Sequence, residues 1–248
     1  MEDILTEARA LAADGVRECI VIAQDITRYG MDLYHEKKLP QLLRELCKLD
    51  FHWIRLHYLY PDTITDELID TIAAEPKICK YIDMPIQHCN DTILKAMRRR
   101  ETHAGLLALM DKLRSRIPGV VLRTSLITGL PYEDEAAFDE LCEFLRRTHI
   151  ERAGVFPYSP EEGTAAAEMP NRVDTAEAER RAELVVDVQS RVMDAFNESR
   201  MGDLVEVLCD GFDPQSMQYM GRSYGESPDV DGHIYFTSEA DVNPGDFV

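Results

Sequence analysis

The sequence runs to 248 residues, 45% of them hydrophobic, and carries a formal charge of −19. That is enough apolar content for one α/β barrel, or for a large domain joined to a small one. The charge disfavours non-specific nucleic-acid binding, which depends on Lys and Arg displacing counterions, and the lack of any run of about 18 apolar residues argues against a membrane span.

In chain order, Ile4, Leu5, Ala8, Leu11 and Ala12 share one helical face, and Gly15 ends that helix before an apolar strand over residues 18–23. A helix over 39–49 leads to a strand over 52–59, and a helix over 66–74 to a strand over 78–83. Two helical stretches follow, at 91–99 and 103–116, the second stopped by Pro118 and Gly119. A strand over 120–127, a helix over 133–148 with Arg146 and Arg147 in its last turn, and a strand over 152–157 complete the series. This alternation predicts a parallel sheet built from βα units. The first helix has no strand before it: either an opening strand is missing, or the helix simply caps the sheet.

A long helix over 174–200 leads out of this unit, and the character then changes. Short β-rich runs at 204–209, 218–224 and 233–237, separated by Gly, Pro and Asp, predict a small antiparallel β-barrel. It reads as incomplete, because the chain stops at Phe247 and Val248 where a further strand starts. The division is therefore residues 1–200, a partial barrel, and 201–248, a small β-barrel.

In barrels of parallel strands, chemistry sits at the carboxyl ends of the strands. Those positions hold Gln24, Asp25, Thr27 and Arg28; His57 and Tyr58; Pro85, Gln87 and His88; Thr128, Gly129, Pro131 and Glu133; Tyr158, Ser159 and Glu162. Gly129 and Pro131 form a tight turn that allows backbone to approach a ligand closely. The six cysteines are scattered with no CxxC spacing, which suggests reduced thiols in a cytoplasmic protein and no zinc site. His88 and Cys89 are neighbours, but adjacent residues of an extended segment point in opposite directions and seldom ligate one ion, so no metal ligand is assigned. Arg98, Arg99 and Arg100 read as a solvated helix end.

Five phrases carry a specific resemblance: IAQDITRYGMDLY from Ile22, WIRLHYLYPDTITDELI from Trp53, DMPIQHCNDTILKAMRRR from Asp83, RTSLITGLPYE from Arg123 and GVFPYSPEEGTAA from Gly154. Together they resemble the methylthiotransferase branch of the radical S-adenosylmethionine (SAM) enzymes. Met84, Ile86, His88 and Cys89 lean towards the ribosomal-protein-modifying (RimO) type rather than the tRNA-modifying (MiaB-like) type. The segment from Met201 resembles a TRAM domain.

The resemblance implies a radical SAM (TIM-like) barrel lacking its first strand, and methylthiolation of an aspartate β-carbon on the twelfth small-subunit ribosomal protein. It implies S-adenosylmethionine as cofactor and two 4Fe-4S clusters in a full-length parent. No CxxxCxxC occurs in this sequence, so no cluster is expected in this chain, which alone is expected to be inactive. By their strand-end positions, Gln24, Asp25, Gln87, Arg123, Thr124, Gly129, Pro131, Phe156 and Tyr158 are the candidates to contact S-adenosylmethionine, with Arg123 and Thr124 pointing to opposite faces. Catalytic residues are not identified. From Arg200 onward, ten carboxylates stand against Arg200 and Arg222, a net of −8, which suits a basic ribosomal protein and not tRNA. The competing readings are a tRNA methylthiotransferase, a ribosomal-protein-binding chain without catalysis, and a metal-independent barrel enzyme.

Overall fold

The computed structural model describes all 248 residues. Five strands, β1 (Glu18–Val21), β2 (Trp53–Leu56), β3 (Ile78–Gln87), β4 (Val121–Thr128) and β5 (Arg152–Pro157), form one all-parallel sheet in sequential order. A sequential order requires every crossover to step the same way, which puts the helices on one face and leaves the other face open. The helices are α1 (Glu2–Ala13), α2 (Leu39–Leu46), α3 (Asp66–Ala74), α4 (Asp91–Ala96), α5 (His103–Arg116), α6 (Glu135–Thr148) and α7 (Thr175–Ser199).

Most helix starts follow from local hydrogen bonding. Thr65, Asn90, Thr102, Asp134 and Asp174 each stand immediately before a helix and accept a backbone N–H from its first turn, where no carbonyl is available to do so. Along the strands the side chains alternate between two environments. Ile54, Leu56, Ile82, Met84, Ile86, Leu122 and Leu126 join the helix-side core with Leu42, Leu43, Leu113, Leu141 and Phe144. Trp53, Cys79, Tyr81 and Val121 lie on the opposite face, packed with Leu208 from the carboxy-terminal part of the chain.

β3 runs four residues further than the sequence pattern suggests, although Pro85 lies within it. Proline has no N–H to give the ladder, and the register between β3 and β4 shifts between Met84 and Gln87. Thr124 repairs the gap: its hydroxyl donates to the Met84 carbonyl at 2.7 Å and accepts from the Ile86 N–H at 3.3 Å.

The carboxy-terminal unit is a second sheet of β6 (Leu208–Asp213), β7 (Gln218–Arg222) and β8 (Ile234–Phe236), antiparallel throughout. Its first strand lies later than the run 204–209 suggests, because the hairpin at Asp213 fixes the pairing of Asp213 with Gln218 and of Leu208 with Arg222. The last residues do continue the sheet: Val207 and Val248 exchange backbone hydrogen bonds of 2.8 and 3.0 Å, and the Cys209 N–H donates to Asp246.

Candidate functional site

Three neighbouring strands end in the same unusual backbone conformation. Tyr58 just past β2, Gln87 at the end of β3 and Gly129 just past β4 have φ of 60°, 68° and 77°. Left-handed backbone costs a non-glycine residue on the order of 1 kcal/mol, and such positions cluster at ligand sites because the fold must hold them there. Tyr58 and Gln87 therefore mark this end of the sheet. Exposed apolar side chains lie along the same edge: Ile22 is 61% exposed, Tyr58 42% and Phe156 53%. Tyr58 stands at this strand end with them, and only that position is visible in sequence.

The candidate residues do not all meet there. Gln24 is exposed beyond β1, Gln87 is half-buried, and Tyr158 follows β5 with its N–H bonded to the Thr128 carbonyl at 2.8 Å. Phe156 is turned over Gly154, where a side chain would meet its ring at 3.1 Å. Asp25 is occupied by its own loop, accepting from the Thr27 N–H at 3.0 Å and from Arg28 Nε at 2.9 Å. Thr124 is turned to the helix side, where its hydroxyl serves the β3 bulge.

Gly129 also has a different job from close approach to a ligand. A Cβ there would meet Ala178 Cβ of α7 at 2.2 Å, so glycine is needed for helix docking as well as for its positive φ. Around it lies a buried clasp. Thr128 Oγ1 donates to the Ala178 carbonyl at 2.9 Å, and Arg181 Nη1 reaches both the Glu133 carbonyl at 2.9 Å and its carboxylate at 3.0 Å. His88 Nε2 lies 3.4 Å from the other Glu133 oxygen. Burial alone would raise the Glu133 carboxyl, but His88, the Gly129 N–H and Arg181 outweigh it and hold the group below the usual glutamate range. Pro131 is buried in the same turn.

On the open face, the lower part of the sheet is covered by the loop between β7 and β8. Asp83 is the hub: Arg123 Nη1 donates to it at 2.7 Å and His57 Nδ1 lies 3.2 Å away, while His57 Nε2 is 2.9 Å from Ser227 Oγ. Burial pushes the Asp83 carboxyl up, yet the His57 hydrogen bond and Arg123 more than compensate, leaving it below the ordinary aspartate value. The order Asp83, His57, Ser227 is that of a hydrolytic relay. Ser227 is only 1% exposed, so no substrate carbonyl can reach it, and the chain of groups acts as a lock between the two sheets.

Beside this lock, Arg55 is fully buried, bonded through Nε to Glu18 at 2.7 Å and through Nη1 to the Tyr224 carbonyl at 2.8 Å. Arg222 holds the other Glu18 oxygen at 2.8 Å and grips Asp210 through two nitrogens. Arg123 is thus committed to Asp83 at the base of the open face. Arg99 is no solvated helix end either: it donates to the Pro85 carbonyl at 2.7 Å and lies over the Tyr60 ring.

A 4Fe-4S cluster needs thiolates brought together. The six cysteines are all free, and the one grouping of three Cys, His or acidic ligand atoms that forms contains a single cysteine, so this chain's residues do not fit a cluster.

Residues 1–145, more than half of the chain, match the Radical SAM superfamily. The chain belongs to that superfamily. Residues 201–248 match the TRAM domain. Among curated relatives, the ribosomal protein uS12 methylthiotransferase RimO of Acetivibrio thermocellus is 45% identical over 249 aligned residues, covering 100% of this chain and 55% of that protein. The protein of the same name from Caldanaerobacter subterraneus subsp. tengcongensis is 46% identical, covering 100% of this chain and 56% of its own length. The chain thus spans about half the length of the curated relatives it matches. Coproporphyrinogen III oxidase of Escherichia coli, a radical SAM enzyme, shares the fold at TM-score 0.60 and 16% identity, over 77% of this chain and 45% of that one. As a radical SAM protein with a TRAM unit, the chain is a partial α/β barrel followed by a small antiparallel sheet, in agreement with the sequence pattern.

Proposed function

We propose that this chain is the barrel and substrate-holding portion of a ribosomal protein uS12 methylthiotransferase acting in the cytoplasm. The observation that carries this is the match along 100% of the chain, at 45% identity, to proteins bearing that name. No helix is long and apolar enough to cross a membrane, which is compatible with a ribosomal substrate.

S-adenosylmethionine, when bound, supplies the radical chemistry of the superfamily, and the 4Fe-4S ligands must come from residues other than this chain's cysteines. The chain's own side chains bind and orient. Gln24 and Gln87 offer amide donors and acceptors for the amino and carboxylate groups, the exposed ring of Phe156 and the neighbouring Tyr158 offer a surface for adenine, and Pro131 shapes the turn beside them. Arg123, anchored by Asp83, sets the floor of the open face.

The carboxy-terminal unit holds a basic protein. Asp203, Glu206, Asp229, Glu239, Asp241 and Asp246 are exposed on it, and a carboxylate-rich surface attracts a basic partner and repels tRNA. Equilibrium dialysis with S-adenosylmethionine and fluorescence anisotropy with labelled uS12 test the two halves. Gln87→Ala and Phe156→Ala are each expected to weaken the first about tenfold, a loss of about 1.4 kcal/mol, and added salt to weaken the second. Equal binding of S-adenosylmethionine by wild type and both variants, or tighter binding of tRNA than of uS12, would refute the assignment.

A further inference from the structure

His88 and Cys89 diverge as their extended backbone requires, and the divergence gives Cys89 neighbours of its own. His88 turns inward to Glu133, whereas Cys89 meets His103 from the first turn of α5 and Glu140 from α6. The sulfur, the imidazole nitrogen and the carboxylate oxygen all lie within 4.8 Å of one another. His103 Nδ1 is 2.7 Å from Glu140 Oε1, yet it is buried and makes no hydrogen bond of acceptable geometry. At that spacing the two atoms contact each other directly, and an ion bound by both would sit between them in place of that contact.

The surroundings hold these groups in place. Asn90 Nδ2 donates to the second Glu140 oxygen at 2.6 Å, while Oε1 faces His103 Nδ1. The His103 backbone N–H donates to Asp91 at 2.6 Å, and the Phe144 ring meets the imidazole edge-on at 5.5 Å. Outer groups of this kind orient the ligands of metal sites. The donor set of one thiolate, one imidazole and one carboxylate matches a borderline ion such as zinc and excludes calcium or magnesium, which take oxygen ligands. We propose that Cys89, His103 and Glu140 bind one zinc-class divalent ion through three protein ligands, with the fourth position open to water.

Binding replaces the thiol proton: the Cys89 S–H loses its proton to solvent and the sulfur pair bonds the ion, with no change of oxidation state. Because that proton is released on binding, affinity rises with pH. The ion would tie α5 and α6 to Cys89, two residues after Gln87 with its positive φ.

The test is a titration of the metal-free chain with Co2+ under anaerobic, thiol-free conditions. The expected result is stoichiometric binding with a thiolate-to-cobalt absorption band, lost in Cys89→Ser, weakened about tenfold or more in His103→Ala and Glu140→Gln, and retained in Cys142→Ser. A second measurement keeps to the wild-type chain: added Zn2+ should displace Co2+ from the site, read as loss of the thiolate-to-cobalt band. A band that persists in folded Cys89→Ser, absence of stoichiometric binding, or a band that excess Zn2+ leaves in place would overturn the site.

Discussion

Gly129→Ala tests the docking of α7 on the sheet. Two costs add. The residue sits at φ 77°, where a Cβ is disfavoured by about 1 kcal/mol, and the new methyl would lie 2.2 Å from Ala178 Cβ, against an ordinary carbon contact of about 3.5–4.0 Å. Relief requires α7 to retreat by more than an ångström, and overpacking of that kind costs about 1–3 kcal/mol. Retreat also stretches the Thr128 bond to the Ala178 carbonyl and the Arg181 bonds to Glu133. The expected loss is therefore about 2–4 kcal/mol. Urea unfolding followed by circular dichroism measures it, with Ala178→Gly as partner. That change costs about 1 kcal/mol in a helix, but it removes the colliding methyl, so the double variant should recover the steric part and retain the φ part. A Gly129→Ala protein within about 0.5 kcal/mol of wild type, or an equal loss in the Ala178→Gly background, refutes the clash.

Glu18→Gln strips the shared carboxylate from Arg55 and Arg222, leaving two buried guanidiniums with one anion, Asp210, at the edge. The expected loss is about 3–5 kcal/mol, and limited proteolysis should cut between α7 and β6 sooner than in wild type. Asp83 has a depressed carboxyl, so its contribution to stability is complete above the ordinary aspartate value of 3.8 and is lost as pH falls through its lower folded value. Asp83→Asn should accordingly flatten the acid limb of a stability-versus-pH curve, and an unchanged limb would show that the group is not linked to folding. Gln87→Gly relieves a positive φ of 68° while deleting the amide, so unfolding should show no loss of stability while S-adenosylmethionine binding falls; intact binding would remove Gln87 from the site.

Much of the fold is legible in the sequence because its causes are local. The spans Asp66–Ala74, His103–Arg116 and Arg152–Pro157 follow from periodicity and punctuation alone, and Thr65 and Thr102 supply the caps that start two of them. The likeness to radical SAM enzymes is carried by short phrases at strand ends, so it too is readable without coordinates.

What tertiary structure decided is whatever depends on pairing between distant segments. Alternation requires Arg123 and Thr124 to part, but only the register with β3 and the bulge at Pro85 turns Thr124 to the helix side. Gly129 reads as a turn residue, and its need for space is set by a helix some fifty residues later, at Ala178. The same holds for the Asp83, His57 and Ser227 lock and for the meeting of Cys89 with His103 and Glu140. Local spacing determines helices, caps and turns because their hydrogen bonds close within a few residues. Which side chains share a face or a ligand is settled by strand register and helix packing, which act across the whole chain.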